Sequence, residues 1–105
     1  ETTGELNILH AINVVNPSYL TISSDNKFLY CSTELDEKFD PKVQAYKIND
    51  DFSLSFVNEQ PIPGGYPCHI EISDNNILVA CYQTGNVIQY PIDQFGKLKK
   101  FTKNC

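Results

Sequence analysis

The sequence predicts an all-β chain, a β-propeller segment of about two four-stranded antiparallel blades preceded by an outer strand. Three observations carry that reading. The sequence repeats itself at a period of roughly 40 to 50 residues, the length of a propeller blade. Its apolar runs are short and rich in Ile, Val, Tyr and Phe. Clusters of Asn, Asp, Gly and Pro cut those runs at blade-like intervals.

The first echo sets Asn16-Pro17-Ser18-Tyr19-Leu20-Thr21-Ile22-Ser23-Ser24-Asp25-Asn26-Lys27-Phe28-Leu29-Tyr30 against Tyr66-Pro67-Cys68-His69-Ile70-Glu71-Ile72-Ser73-Asp74-Asn75-Asn76-Ile77-Leu78-Val79, so that Tyr30 meets Val79. The second sets Val43-Gln44-Ala45-Tyr46-Lys47-Ile48 against Val87-Ile88-Gln89-Tyr90-Pro91-Ile92. The offset drifts from about 50 to about 44, which places a longer connection in the first copy between Thr33 and Pro41. Its counterpart is the short Gln83-Thr84-Gly85.

In chain order, Leu6-Asn7-Ile8-Leu9-His10-Ala11-Ile12-Asn13-Val14 reads as the outer strand of a preceding unit, within 5–14. One blade follows with strands near 19–23, 28–33, 42–48 and 54–60. A second has strands near 69–73, 77–82, 86–92 and 98–102. As parts of a single propeller domain these divide as 1–15, 16–62 and 63–105. Ser23 to Lys27 and Ser73 to Asn76 are tight turns, since Asp and Asn tolerate left-handed dihedrals and bond their own backbone. Pro61, Pro63 and Pro67 around Gly64-Gly65 are expected to form a bent connection outside the strand ladders. No stretch has the periodicity of an amphipathic helix.

Eight lysines, no arginine and 13 carboxylates give a net charge of −5 over 105 residues. That balance argues against a nucleic-acid surface, which needs a clustered basic face. Lys97, Lys99, Lys100 and Lys103 are a local exception, read as a solvated strand face. No run approaches the roughly 20 apolar residues of a membrane helix. Cys31, Cys68, Cys81 and Cys105 have neither CxxC nor Cys/His metal spacing, so no metal or cofactor is expected. Reduced thiols in the cytoplasm are the reading. Two blades leave apolar faces at both ends, and the pattern opens in mid-strand without a methionine. The chain is therefore expected to be a piece of a larger ring, its faces covered by remaining blades or by self-association.

In an up-and-down meander, the start of strand one and the end of strand two share an edge. That edge gathers Asn16, Pro17, Glu34, the Gly64-to-His69 loop and Gln83-Thr84-Gly85. The strings Gly4-Glu5-Leu6, Asn16-Pro17-Ser18-Tyr19-Leu20, Phe28-Leu29-Tyr30 with Glu34, Gly64-Gly65-Tyr66-Pro67-Cys68-His69-Ile70, Tyr82-Gln83-Thr84-Gly85-Asn86-Val87 and Gly96-Lys97-Leu98 resemble the seven-bladed propeller lactonase family in order and spacing. Cys81 departs from the asparagine usual there in the family. The resemblance implies hydrolysis of a sugar δ-lactone, 6-phosphogluconolactone to 6-phosphogluconate, as a lactonase with a small-molecule substrate.

That reaction needs an activated water and a donor for the developing oxyanion. His69 is then the candidate base or oxyanion donor, Glu34 the residue that orients or deprotonates the water or holds His69 in one tautomer, and Asn16 and Gln83 substrate contacts. Each has a plainer alternative: His69 as a loop cap, Glu34 as one solvated charge beside Asp36, Glu37 and Asp40, Asn16 as a turn former. His10 and Cys68 read as structural. The competing functions are a non-catalytic binding scaffold and an inactive truncated fragment.

Overall fold

The computed structural model describes residues 18–33 and 36–105. The expectations for Asn16, Glu34 and the outer strand near 5–14 lie outside the described residues. Eight strands are described: β1 (Tyr19–Ile22), β2 (Phe28–Ser32), β3 (Lys42–Ile48), β4 (Leu54–Pro61), β5 (Pro67–Ser73), β6 (Asn76–Cys81), β7 (Asn86–Pro91) and β8 (Lys103–Asn104). They form two antiparallel four-stranded sheets in the order β1-β2-β3-β4 and β5-β6-β7-β8. The one helical element among the described residues is a single 3₁₀ turn, Glu37–Phe39, in the long β2–β3 connection.

Turn chemistry matches the residue types. Asn26 (φ 59°) and Asp74 (φ 54°) take the left-handed conformation in the β1–β2 and β5–β6 turns. In the first, the Asp25 carboxylate accepts from the Ser23 hydroxyl at 2.6 Å and the Lys27 N–H at 3.0 Å. These turns also differ in length. Ser23 N–H bonds the Phe28 carbonyl across the first, whereas Ser73 pairs directly with Asn76 in the second. Leu20 pairs with Cys31 and Ile70 with Val79, so Cys31, and not Tyr30, is the structural counterpart of Val79. The sequence echo is one residue out of register along β2. Because side chains alternate, that residue exchanges the two faces of the strand.

The corrected register explains how the sheets stack. Tyr30, Val43 and Ala45 on one face of the first sheet enclose a core with Ile70, Ile77, Val79, Ile88 and Tyr90 of the second. These are opposite faces of equivalent blades, because Tyr30 corresponds to Leu78 and not to Val79. Packing is therefore head to tail, and β5 lies against β1 and β2. Removing each of the Val and Ile side chains from water contributes about 1.5–3 kcal/mol.

Polar ties lock the stack. The Tyr30 hydroxyl donates to the Gly96 carbonyl at 2.9 Å and the Tyr90 hydroxyl to the Pro61 carbonyl at 2.7 Å. Asn58 of β4 acts as a substitute strand: its Nδ2 donates to the Leu98 carbonyl at 2.8 Å, and its Oδ1 accepts from Leu98 N–H at 2.9 Å. This explains why the strand expected over 98–102 is absent. Leu98 keeps one isolated bridge to Ile92, and regular pairing with β7 resumes only at Lys103–Asn104. Pro61 and Pro67, expected outside the ladders, occupy terminal pairs opposite Lys42 and Cys81. A strand end tolerates the missing donor.

Three outcomes follow from this packing. Asn58→Leu removes two inter-sheet bonds and strands the buried Leu98 N–H, so it should cost about 1–3 kcal/mol in urea unfolding; an unchanged midpoint would refute the clamp. Gly96→Ala should be worse tolerated than Gly85→Ala. Both glycines have positive φ, 79° and 68°, but a Cβ at Gly96 collides with the Phe28 ring while Gly85 faces open space. The thermal midpoints of the two variants test that order. Burial pushes the Cys31 and Cys81 thiols up from 9.0 to about 11 and the Tyr30 phenol up from 10.0 to about 12. The folded state favours their neutral forms, so this stability is intact below about pH 9 and drains away as pH rises through 11 to 12. Denaturant midpoints that stay flat from pH 8.5 to 11.5 would contradict it.

Candidate functional site

The upper edge of the two sheets carries the end of β2, the 3₁₀ turn, the end of β4, the start of β5 and the β6–β7 turn. The structure ties this edge together across the blade boundary. Gln83 accepts from the Glu37 N–H at 3.0 Å through Oε1 and donates to the Asp36 carboxylate at 3.2 Å through Nε2. The β6–β7 turn is thereby fastened to the long β2–β3 connection, the one that contains Glu34.

Beneath that clasp the chain passes through Gly64-Gly65, where only glycine fits. A Cβ on Gly64 would lie 2.7 Å from Thr84 Oγ1 and 2.9 Å from Cys81 Sγ. Gly65 N–H donates to Thr84 Oγ1 at 3.2 Å and its carbonyl accepts from Gln83 N–H at 3.1 Å. Asn86 donates to the Pro63 carbonyl at 3.0 Å. The Gly-Gly and Gln-Thr-Gly strings are thus two halves of one packed corner. Tyr66, in the left-handed conformation at φ 51°, leads the chain out of it into β5.

His69 sits one pair inside this corner, opposite Ala80. Its neighbour Ile70 is buried, and alternation along the strand sends the imidazole to the other face, while a bulge between Pro67 and His69 lets Pro67 keep the buried face as well. That face carries Glu71, Leu78, Ala80, Val87 and Gln89 by register, and it is turned away from the first sheet. His69 Nε2 lies 3.0 Å from Glu71 Oε1, with the side chains 63% and 55% exposed.

The expected residues are placed as follows. His69 and Gln83 share the upper edge but act on opposite sides of the second sheet: Gln83 faces the first sheet's loop, whereas His69 faces outward. Asn16 and Glu34 lie outside the described residues. The residue that sequence reasoning passed over is Glu71. Its signal was present, because a His-x-Glu spacing within a strand puts both side chains on one face. Among the described residues no group of three or more His, Cys, Asp or Glu side chains is assembled to hold a metal ion. A hollow of about 600 Å³ opens at the opposite edge, lined by Asp25, Lys27, Phe28, Lys47, Asp50 and Phe95 among others. It lies across the sheets from His69 and shares no residue with the upper corner.

This geometry has close counterparts. Residues 1–104 match the family described as Lactonase, 7-bladed beta-propeller. The chain is 34% identical over 92 residues to the 6-phosphogluconolactonase of Bacillus subtilis, covering 85% of this chain and 26% of that protein. It is 30% identical over 102 residues to the 6-phosphogluconolactonase of Formosa agariphila, covering 93% of this chain and 29% of that protein. The crystal structure of a candidate 6-phosphogluconolactonase from Bacteroides fragilis superposes with a TM-score of 0.78 at 33% identity, over 85% of this chain and 25% of that one. The chain thus spans between a quarter and a third of the length of these relatives. A repeated four-stranded unit, head-to-tail stacking and a family match over nearly every residue agree: this chain belongs to the seven-bladed β-propeller lactonase family.

Proposed function

We propose that the protein hydrolyses a sugar δ-lactone, 6-phosphogluconolactone in particular, with His69 as the general base. The observation that carries this reading is the His69–Glu71 pair at the upper edge, beside the packed glycine corner, in a chain whose curated relatives carry the name of that activity. In the proposed reaction, His69 takes a proton from water as the water oxygen attacks the lactone carbonyl. The ring C–O bond then breaks, and the imidazolium returns the proton to the departing alkoxide. Glu71 steadies the transient positive charge without becoming protonated, as the carboxylate does in hydrolase triads.

Within this reading Glu34 and Asn16 remain assigned to orienting the water and contacting the substrate. A bidentate clamp on the phosphate calls for arginine, which this chain lacks. The reading assigns that task to the parts of the ring that the relatives carry beyond the matched portion. We further propose that another blade, or a second copy, covers the outward face of the second sheet. Four free cysteines support a reducing, cytoplasmic setting. One observation favours a non-catalytic scaffold instead: the Gln83 amide is already engaged by Asp36 and Glu37 and so is not held ready for a substrate.

His69→Ala should lower hydrolysis of 6-phosphogluconolactone by roughly 10²-fold or more, the usual weight of general acid–base catalysis. Lys47→Ala, at the opposite edge, should leave the rate unchanged. Equal rates for the two variants would transfer the assignment to the scaffold reading.

A further inference from the structure

The imidazole of His69 has two nitrogens, and only one has a partner among the described side chains. Nε2 lies 3.0 Å from a Glu71 oxygen. An ionised carboxylate can only accept. For that contact to be a hydrogen bond, Nε2 must carry the proton, and in the neutral ring the lone pair must then reside on Nδ1. The alternative tautomer would set two lone pairs against each other at hydrogen-bond distance.

The strand makes this pairing local. His69 and Glu71 are two apart on β5, so their side chains leave the same face. The backbone beneath them is pinned by pairs to Ala80 and Leu78. Between them Ile70 is buried in the core, which prevents the strand from rolling to separate the two heads. At the equivalent positions of the first blade stand Tyr19 and Thr21, neither of which can fix an imidazole. The first described blade has no such pair.

We infer that Glu71 is a positioning residue that holds His69 as the Nε2–H tautomer, leaving Nδ1 as the nitrogen that accepts a proton. In its catalytic use this rests on the hydrolase reading above; the tautomer itself does not. It assigns the base to one atom: a water activated by His69 must approach Nδ1, on the side of the ring away from Glu71.

Long-range proton–nitrogen spectra of the ¹⁵N-labelled protein test it at about pH 8.5, well above the ordinary imidazole range, with the His69 signals identified by their loss in His69→Gln. Nε2 should resonate as a protonated nitrogen and Nδ1 as an unprotonated one. Glu71→Gln should keep that pattern, because the amide oxygen still accepts. Glu71→Leu should move both nitrogens toward the averaged values of a free imidazole and lower kcat for the lactone roughly tenfold with KM unchanged, a fraction of the full general-base contribution. A protonated Nδ1 in the wild type, or a Glu71→Leu spectrum identical to wild type, would overturn the inference. The expected spectra together with a wild-type rate in His69→Ala would instead sink the hydrolase reading while upholding the tautomer.

Discussion

Head-to-tail stacking of two equivalent sheets governs the rest of the molecule. A repeated blade has two different faces, and the face that presents Tyr30, Val43 and Ala45 can bury itself only against the one that presents Ile77, Val79, Ile88 and Tyr90. Because the packing is not self-complementary, each blade presents to the next blade the face opposite to the one that meets the previous blade. The second sheet accordingly turns Leu78, Ala80, Val87 and Gln89 outward, and His69 and Glu71 with them. The position of the candidate base is thus a consequence of packing symmetry as much as of local sequence.

The polar bonds across the interface serve register more than net stability. A typical buried hydrogen bond contributes about 0.5–1.5 kcal/mol, less than one buried aliphatic side chain. Yet the Asn58 clamp on Leu98, with the Tyr30 and Tyr90 hydroxyls on opposing carbonyls, fixes where one sheet sits along the other. An apolar stack alone would tolerate sliding. The clamp has a structural consequence within the second sheet, since it draws Leu98 toward β4 and delays the pairing of the last strand until Lys103.

At the upper edge the same economy recurs. Gly64 and Gly65 lie so close to Thr84, Cys81 and Gln83 that any side chain would displace them. The corner therefore holds the start of β5 in one place, and His69 is only four residues beyond Gly65. Gln83 adds a second anchor by joining the β6–β7 turn to the β2–β3 connection. A loop of irregular backbone is in this way made stiff enough to carry a site.

Much was legible in the sequence by itself. The echo of Tyr19 to Ile22 in His69 to Ile72, the Asp and Asn turns and the short β-rich runs specified an all-β repeat, because turn chemistry and alternation are local properties of the chain. The strings around Gly64 and Gln83 pointed to one edge for the same reason: meander connectivity alone brings those loops together. Tertiary structure decided what local patterns cannot encode. The longer β1–β2 turn of the first blade shifts the correspondence by one residue, and with a side-chain period of two that single residue determines which face of each strand meets the other sheet. It also decided that Asn58 replaces a strand partner for Leu98, that Gln83 is held by the loop of the neighbouring blade, and that the partner of His69 is Glu71. These depend on contacts between residues far apart in sequence, or on which of two alternating faces meets the neighbouring sheet, and both are fixed only when the sheets stack.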